Sequence, residues 1–149
     1  MGVTRVGFKV GVIDWGVHQA SLQALRFEVF VSEQGVPADL ELDDDDFRAI
    51  HVAAVTTGGE VIGTGRILRS GKIGRMAVKL GERRRGIGKA LLISLLEEAR
   101  GMSLQRVYLG AQLPAVPFYS RQGFVAYGGV FSDAGIDHQM MERILRNEG

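Results

Sequence analysis

The chain has 149 residues, 46% hydrophobic and 23% charged, with a formal net charge of +1 and no cysteine. That length suits one domain burying about 70% of its unfolded surface, so 1–149 is read as a single domain. The balanced charge gives no support to a nucleic-acid partner, and the missing thiols exclude disulfides, thiolate metal sites and a cysteine nucleophile.

The longest apolar stretch, 90–96, is far below the roughly 18 residues of a membrane span. With no signal-peptide pattern, the protein is expected to be cytoplasmic and without a membrane partner. In chain order, 6–13 has strand composition. Asp14 is placed to cap a helix over 16–31, whose Leu22, Leu25 and Val29 share one face. A loop follows through Gln34-Gly35-Val36-Pro37 into the acidic run Asp43-Asp44-Asp45-Asp46. The run would suit a cationic acceptor but is read as a solvated segment. It lacks the spacing and turn glycine of a calcium loop, so no metal is assigned.

Strands are predicted at 49–56, 61–68 and 72–79, with Gly58-Gly59 and Ser70-Gly71 as hairpin turns. Ile87, Leu91, Leu92, Leu95, Leu96 and Ala99 then repeat at helical spacing, and Gly101 is placed just past the end of that helix. A strand at 106–111, a short helix at 116–122 stopped by Gly123, and strands at 124–131 and 139–145 complete an α/β sheet with helices on its faces.

The segment Arg83-Arg84-Arg85-Gly86-Ile87-Gly88-Lys89-Ala90 joins the fourth strand to the long helix. A helix mouth offers N–H groups without intrahelical acceptors and a positive dipole end, and the glycines let an anion approach closely. Two better-known phosphate motifs fail on specific residues. Arg83 stands where a Walker A loop needs glycine, and Ala90 where it needs a magnesium-binding hydroxyl. Leu91 stands where a dinucleotide fingerprint needs its third glycine, and the loop follows the fourth strand rather than the first.

The pattern present is Arg/Gln-x-x-Gly-x-Gly/Ala, as Arg83, Gly86 and Gly88, preceded by Met76-Ala77-Val78. It resembles the acetyl-CoA loop of the GNAT N-acetyltransferase superfamily. Tyr108-Leu109-Gly110-Ala111-Gln112, Phe118-Tyr119 and Gly123-Phe124 are similar to the later strand and helix of those enzymes. Val29-Phe30-Val31-Ser32-Glu33-Gln34 with Pro37, and Gly135-Ile136-Asp137-His138 with Met141, are similar to its ElaA-like branch. The resemblance implies a GNAT-like, mixed and mostly antiparallel central sheet of about seven strands, with helices on both faces and a splay between strands 4 and 5.

It further implies an N-acetyltransferase that moves an acetyl group from acetyl-CoA directly to a primary amine of a small molecule or peptide. The coenzyme would be held by Met76, Ala77, Val78, Arg83, Arg84, Arg85, Gly86, Ile87, Gly88, Lys89 and Phe118, with strand amides near Met76 to Val78 bonding the acetyl oxygen. GNAT enzymes often carry a tyrosine at the place of Tyr119. A phenol pKa of about 10 lies near a thiol pKa of about 8.5, so Tyr119 is expected to protonate the leaving thiolate.

An amine of pKa about 10.4 must lose a proton before attack. Glu33, His51 and His138 are the candidates for the base, with Glu33 ahead because the ElaA-like segment borders the acceptor site. Gln34 and His138 are expected to contact the acceptor, and Arg26 to bind an anionic part of it or to pair with Glu33. The alternative is a noncatalytic coenzyme A-binding or regulatory module of the same fold. A nucleic-acid binder using Arg83, Arg84 and Arg85 lacks the aromatic-rich basic face it would need. A homodimer is left open.

Overall fold

A computed structural model describes residues 7–145; Val6, the expected first residue of the opening strand, lies outside the described residues. Strands β1 (Phe8–Ile13), β2 (Ile50–Thr56), β3 (Val61–Ile67) and β4 (Ile73–Val78) form an antiparallel meander in chain order. A second antiparallel sheet has the order β5 (Arg106–Gln112), β7 (Ile136–Ile144), β6 (Val125–Asp133). The seven strands are therefore those expected, divided between strands 4 and 5 into two hydrogen-bonded sheets.

Among the described residues the sheets meet through one parallel bridge, Lys72 with Tyr108, where the Tyr108 N–H donates to Gly71 O at 3.1 Å. Beyond that vertex β4 and β5 diverge. Gly71 has φ +98°, and a Cβ there would lie 2.5 Å from Arg106 O, so only glycine permits the approach that pins the vertex.

Helix α3 (Ile87–Gly101) closes the divide from behind. Its six apolar positions, Ile87, Leu91, Leu92, Leu95, Leu96 and Ala99, are all buried. They share one core with Val52, Ile62 and Ile73 of the first sheet and Val107, Leu109 and Met141 of the second. The helix thus welds together two sheets that scarcely touch, through apolar burial worth about 1.5–3 kcal/mol per large side chain. Gly101 is its last helical residue rather than the left-handed one after it. Ser103, at φ 60°, takes that conformation, letting Leu104 N–H return to Ala99 O while its side chain packs on the core.

Asp14 caps α1 (Trp15–Arg26), accepting from Val17 N–H at 2.9 Å. The helix expected to run unbroken to 31 instead widens into π-helical turns over Phe27–Glu33, with Gln34 N–H reaching Val29 O. Widening keeps Leu25 and Val29 packed on Ala77 while Phe30 and Gln34 reach the divide between the sheets. The expected loop after it contains a short helix, α2 (Ala38–Glu41), and a 3-10 turn over Asp44–Phe47.

Helix α4 (Val116–Arg121) ends at Gly123, φ +87°. Strand β7 begins three residues before the expected start because Ala134 and Gly135, both at positive φ, close a two-residue hairpin with β6.

Candidate functional site

The divergence of β4 from β5 opens a cleft of about 890 Å³, running from the α3 mouth past Tyr119 to the β6–β7 hairpin. That volume falls within the range of small-molecule sites.

At the α3 end, the first intrahelical bond is Ala90 N–H to Gly86 O at 3.0 Å, and no side chain caps the helix. Among the described residues the N–H groups of Ile87, Gly88 and Lys89 therefore have no acceptor. Arg84 (φ 65°) and Gly86 (φ +79°) curve the preceding backbone around that mouth. Arg84 and Lys89 line the cleft and form no ion pair among the described residues.

The other two arginines are differently employed. Arg83 grips both carboxylate oxygens of Glu33 at 2.7 Å and donates through Nε to Val78 O at 2.9 Å. Arg85 pairs with Glu82, lies over the Phe8 ring and is absent from the cleft lining. Expected among the coenzyme contacts, Arg85 instead fastens the loop to β1.

Along the wall, β4 carries a bulge. Arg66 pairs with Gly74 and Thr64 with Ala77, so Arg75 and Met76 together face the single residue Gly65. Past the bulge Lys79 N–H bonds Ile62 O, and strand alternation turns the Val78 N–H and C=O to the open edge, where Arg83 takes the carbonyl. Met76, Ala77 and Val78 all line the cleft.

Arg75 sits at φ 51°, a conformation that costs a non-glycine residue on the order of 1–3 kcal/mol. Its guanidinium is held by Glu41 O (3.2 Å), Leu40 O (3.4 Å) and Asp43 Oδ2 (3.1 Å). Asp43 receives both terminal nitrogens of Arg66 at 2.7 Å, and Arg66 also reaches Asp46 at 2.8 Å. Asp46 in turn takes Arg26 Nη1 at 2.7 Å, and Arg26 closes the chain on Glu41.

Three guanidiniums meet three carboxylates here, so the network, buried at Arg26, Glu41, Asp46 and Arg66 and part-exposed at Asp43 and Arg75, carries no net charge. The Arg66 hydrogen bonds hold the Asp43 carboxyl down at about 2, against 3.8 for a free aspartate. This corrects two expectations. The acidic run is not a solvated segment, since Asp46 is 2% exposed and Asp43 is paired; only Asp44 is freely exposed. Arg26 is 1% exposed and paired with Glu41 and Asp46, not Glu33, so it has no access to an acceptor.

His51 belongs to the same buried layer. Its Nε2 lies 2.9 Å from Asp46 O, its ring stacks on Trp15 at 4.6 Å, and burial pushes its pKa down. It does not line the cleft. Glu33, the leading base from sequence, does not line it either, and both its oxygens are taken by Arg83.

In the middle of the cleft, α4 presents Tyr119. Its hydroxyl donates to Met76 Sδ at 3.4 Å, and its ring makes edge contacts with Phe118 and Phe124. Burial pushes the phenol up to about 12. Phe118 lines the cleft beside Gly88.

At the far end, Gln34 accepts a 2.8 Å bond from Gln112 Nε2, linking the π-helical turn to the tip of β5. His138 faces the same space, Nδ1 2.7 Å from Ile136 O and ring stacked on Phe131 at 5.7 Å. Arg75, Phe131 and Asp133 join this site without having been singled out from sequence, and Gln112 without having been given a role. Gln112 ends the segment resembling the GNAT strand and was legible there, whereas a left-handed arginine within a strand leaves no sequence signal. Among the described residues no group of three or more His, Asp or Glu side chains could hold a metal ion, and no helix is long and apolar enough to cross a membrane.

The family model described as "Acetyltransferase (GNAT) domain" matches residues 18–145. A Bacillus subtilis protein described as an uncharacterized N-acetyltransferase, YjcF, is 37% identical over 123 residues, covering 79% of this chain and 87% of that protein. An acyl-CoA N-acyltransferase from Pseudomonas aeruginosa superposes with a TM-score of 0.78 at 30% identity, over 93% of this chain and 99% of that one. Escherichia coli ElaA superposes with a TM-score of 0.79 at 28% identity, over the same 93% and 99%. The chain belongs to the GNAT acetyltransferase domain family.

Proposed function

We propose that the protein moves the acetyl group of acetyl-CoA directly to a primary amine, both bound at once. The observation that carries this reading is the divided sheet, an open strand edge leading from an uncapped helix mouth to Tyr119. The donor fits what is present. Unspent amides of Ile87, Gly88 and Lys89 with the cations of Arg84 and Lys89 suit a pyrophosphate, and the open edge at Val78 suits an extended amide chain. Acetyl-CoA supplies an activated acyl carbon and a thiolate leaving group.

The chain's own groups then divide the work. The backbone of Met76 to Val78, fixed by the bulge, is preorganised to meet charge on the acetyl oxygen without reorientation. Tyr119 keeps its proton throughout the physiological range, its hydroxyl donating to Met76 Sδ on the cleft wall until a stronger acceptor such as the leaving sulfur replaces it. Transfer from a phenol at about 12 to a solvated thiolate of about 8.5 would be uphill by about 5 kcal/mol. A sulfur expelled into the same water-poor space is raised by the same burial, which narrows the gap. Phe118 and Phe124 keep the tyrosine ring in place.

The reading is tested by incubating the purified protein with acetyl-CoA and each of spermidine, kanamycin, tyramine and lysine amide, measuring free thiol. Amine-dependent release with a matching acetamide product is expected. Coenzyme binding without amine-dependent release would favour the noncatalytic module.

A further inference from the structure

Of three titratable groups able to deprotonate an amine, the geometry removes two. Glu33 has both oxygens on Arg83, and His51 is stacked under Trp15 outside the cleft. We infer that His138 is the general base that removes the acceptor's proton. This rests on the acetyl-transfer reading and names the residue on its acceptor side.

One contact fixes the His138 tautomer. Ile136 O can only accept, so the 2.7 Å contact requires the proton of the neutral ring on Nδ1. The lone pair then sits on Nε2, which has no hydrogen-bond partner among the described residues. Phe131, stacked on the imidazole with an interplanar angle of 24°, holds the ring plane. The two-residue Ala134-Gly135 turn fixes the strand pair that carries both residues.

Position agrees with the role. His138 lies opposite Gln112 at the tip of β5, and Gly110 two residues earlier has no side chain to screen it; a Cβ there would come within 3.9 Å of the imidazole Cδ2. The ring therefore lines the same cleft as Met76 to Val78. The charged groups sharing this end are Asp133 of β6, Lys72 and Arg75 at the β4 side, and Glu41 of α2; Asp137, next to His138 in β7, is on the opposite face of the strand. Glu41 and Arg75 are tied into the ion-pair network, leaving Asp133 to favour an incoming ammonium and Lys72 to oppose it.

The step balances. The ammonium gives one proton to Nε2, and the freed nitrogen pair forms the N–C bond. The C–S pair leaves on sulfur. The second nitrogen proton is matched by the one the thiolate gains, and His138 returns its own to solvent, for a net release of one proton.

Two measurements test this. In the full-length protein, 15N-edited NMR of the histidine rings, assigned by difference from His138→Gln, should show His138 protonated on Nδ1 and bare on Nε2 near pH 8. The opposite tautomer would overturn the assignment without reference to activity. Thiol release is then followed from pH 6 to 10 with the fastest amine among spermidine, kanamycin, tyramine and lysine amide. His138→Gln should lower kcat about 100-fold or more at pH 7, with the defect shrinking toward pH 10 as the amine deprotonates itself, and imidazole should partly rescue His138→Ala. Turnover within threefold of wild type at every pH overturns the base alone. No amine-dependent turnover by the wild type overturns both the base and the acetyl-transfer reading.

Discussion

Replacing Asp43 by asparagine should loosen the clamp that holds the β4 bulge. Its carboxylate takes two bonds from Arg66, one from Arg75 and one from its own turn at Asp45 N–H. A fall from 3.8 to about 2 corresponds to about 2.4 kcal/mol of stability at neutral pH. The side chain is 32% exposed, so solvent screening reduces this to about 1–2 kcal/mol. For a chain of this size that is a loss of roughly 3–6 °C in melting temperature.

The pH dependence has a definite sign. A carboxyl lowered by folding contributes fully above its unfolded value and loses that contribution as pH falls toward its folded value. The gap between wild type and Asp43→Asn should therefore be complete above about pH 5 and shrink to a few tenths of a kcal/mol by about pH 2. Urea unfolding of both proteins along a pH series measures it. Equal stabilities at pH 7, or a gap independent of pH, would refute the claim that this ion-pair chain supports the bulge.

Three further substitutions probe the cleft and its vertex. Tyr119→Phe should lower kcat at least tenfold while calorimetry finds acetyl-CoA affinity unchanged; unaltered turnover would remove the hydroxyl from the chemistry. Arg84→Ala should raise the acetyl-CoA Kd about tenfold, in line with loss of one charge-assisted phosphate contact of about 1.5 kcal/mol, and a ligand-binding titration reads it. Gly71→Ala places a methyl 2.5 Å from Arg106 O and should lower the melting temperature by several degrees; an unchanged value would mean that the sheets meet by another route.

The parts of this fold that were legible in the sequence are those governed by local periodicity. Every apolar position assigned to the long helix is on its buried face, because 3.6-residue spacing has one solution there. Asp14 capping and the glycines of the hairpins follow equally local rules. What escaped depends on distant partners. The aspartate run looks solvated until Arg26, Arg66 and Arg75, 20 to 32 residues away from the aspartates they meet, arrive beside it.

Glu33 ends a helical pattern and resembles an available base, yet a partner 50 residues away at Arg83 consumes it. The Ala134-Gly135 turn was missed because alanine at positive φ lacks the Asn or Asp that usually marks such a hairpin. The candidate site was thus readable as backbone, the helix mouth and the strand before it. Its side-chain chemistry depended on which charges had already found partners.

In the proposed function the coenzyme enters between the diverging strands with its phosphates at the α3 mouth. Amide hydrogen exchange with and without acetyl-CoA reads this binding mode residue by residue. Slowed exchange at Val78 and at Ile87, Gly88 and Lys89 is expected, with the far face of β1 unchanged. Protection confined to other segments, or none at saturating acetyl-CoA, would rule this binding mode out.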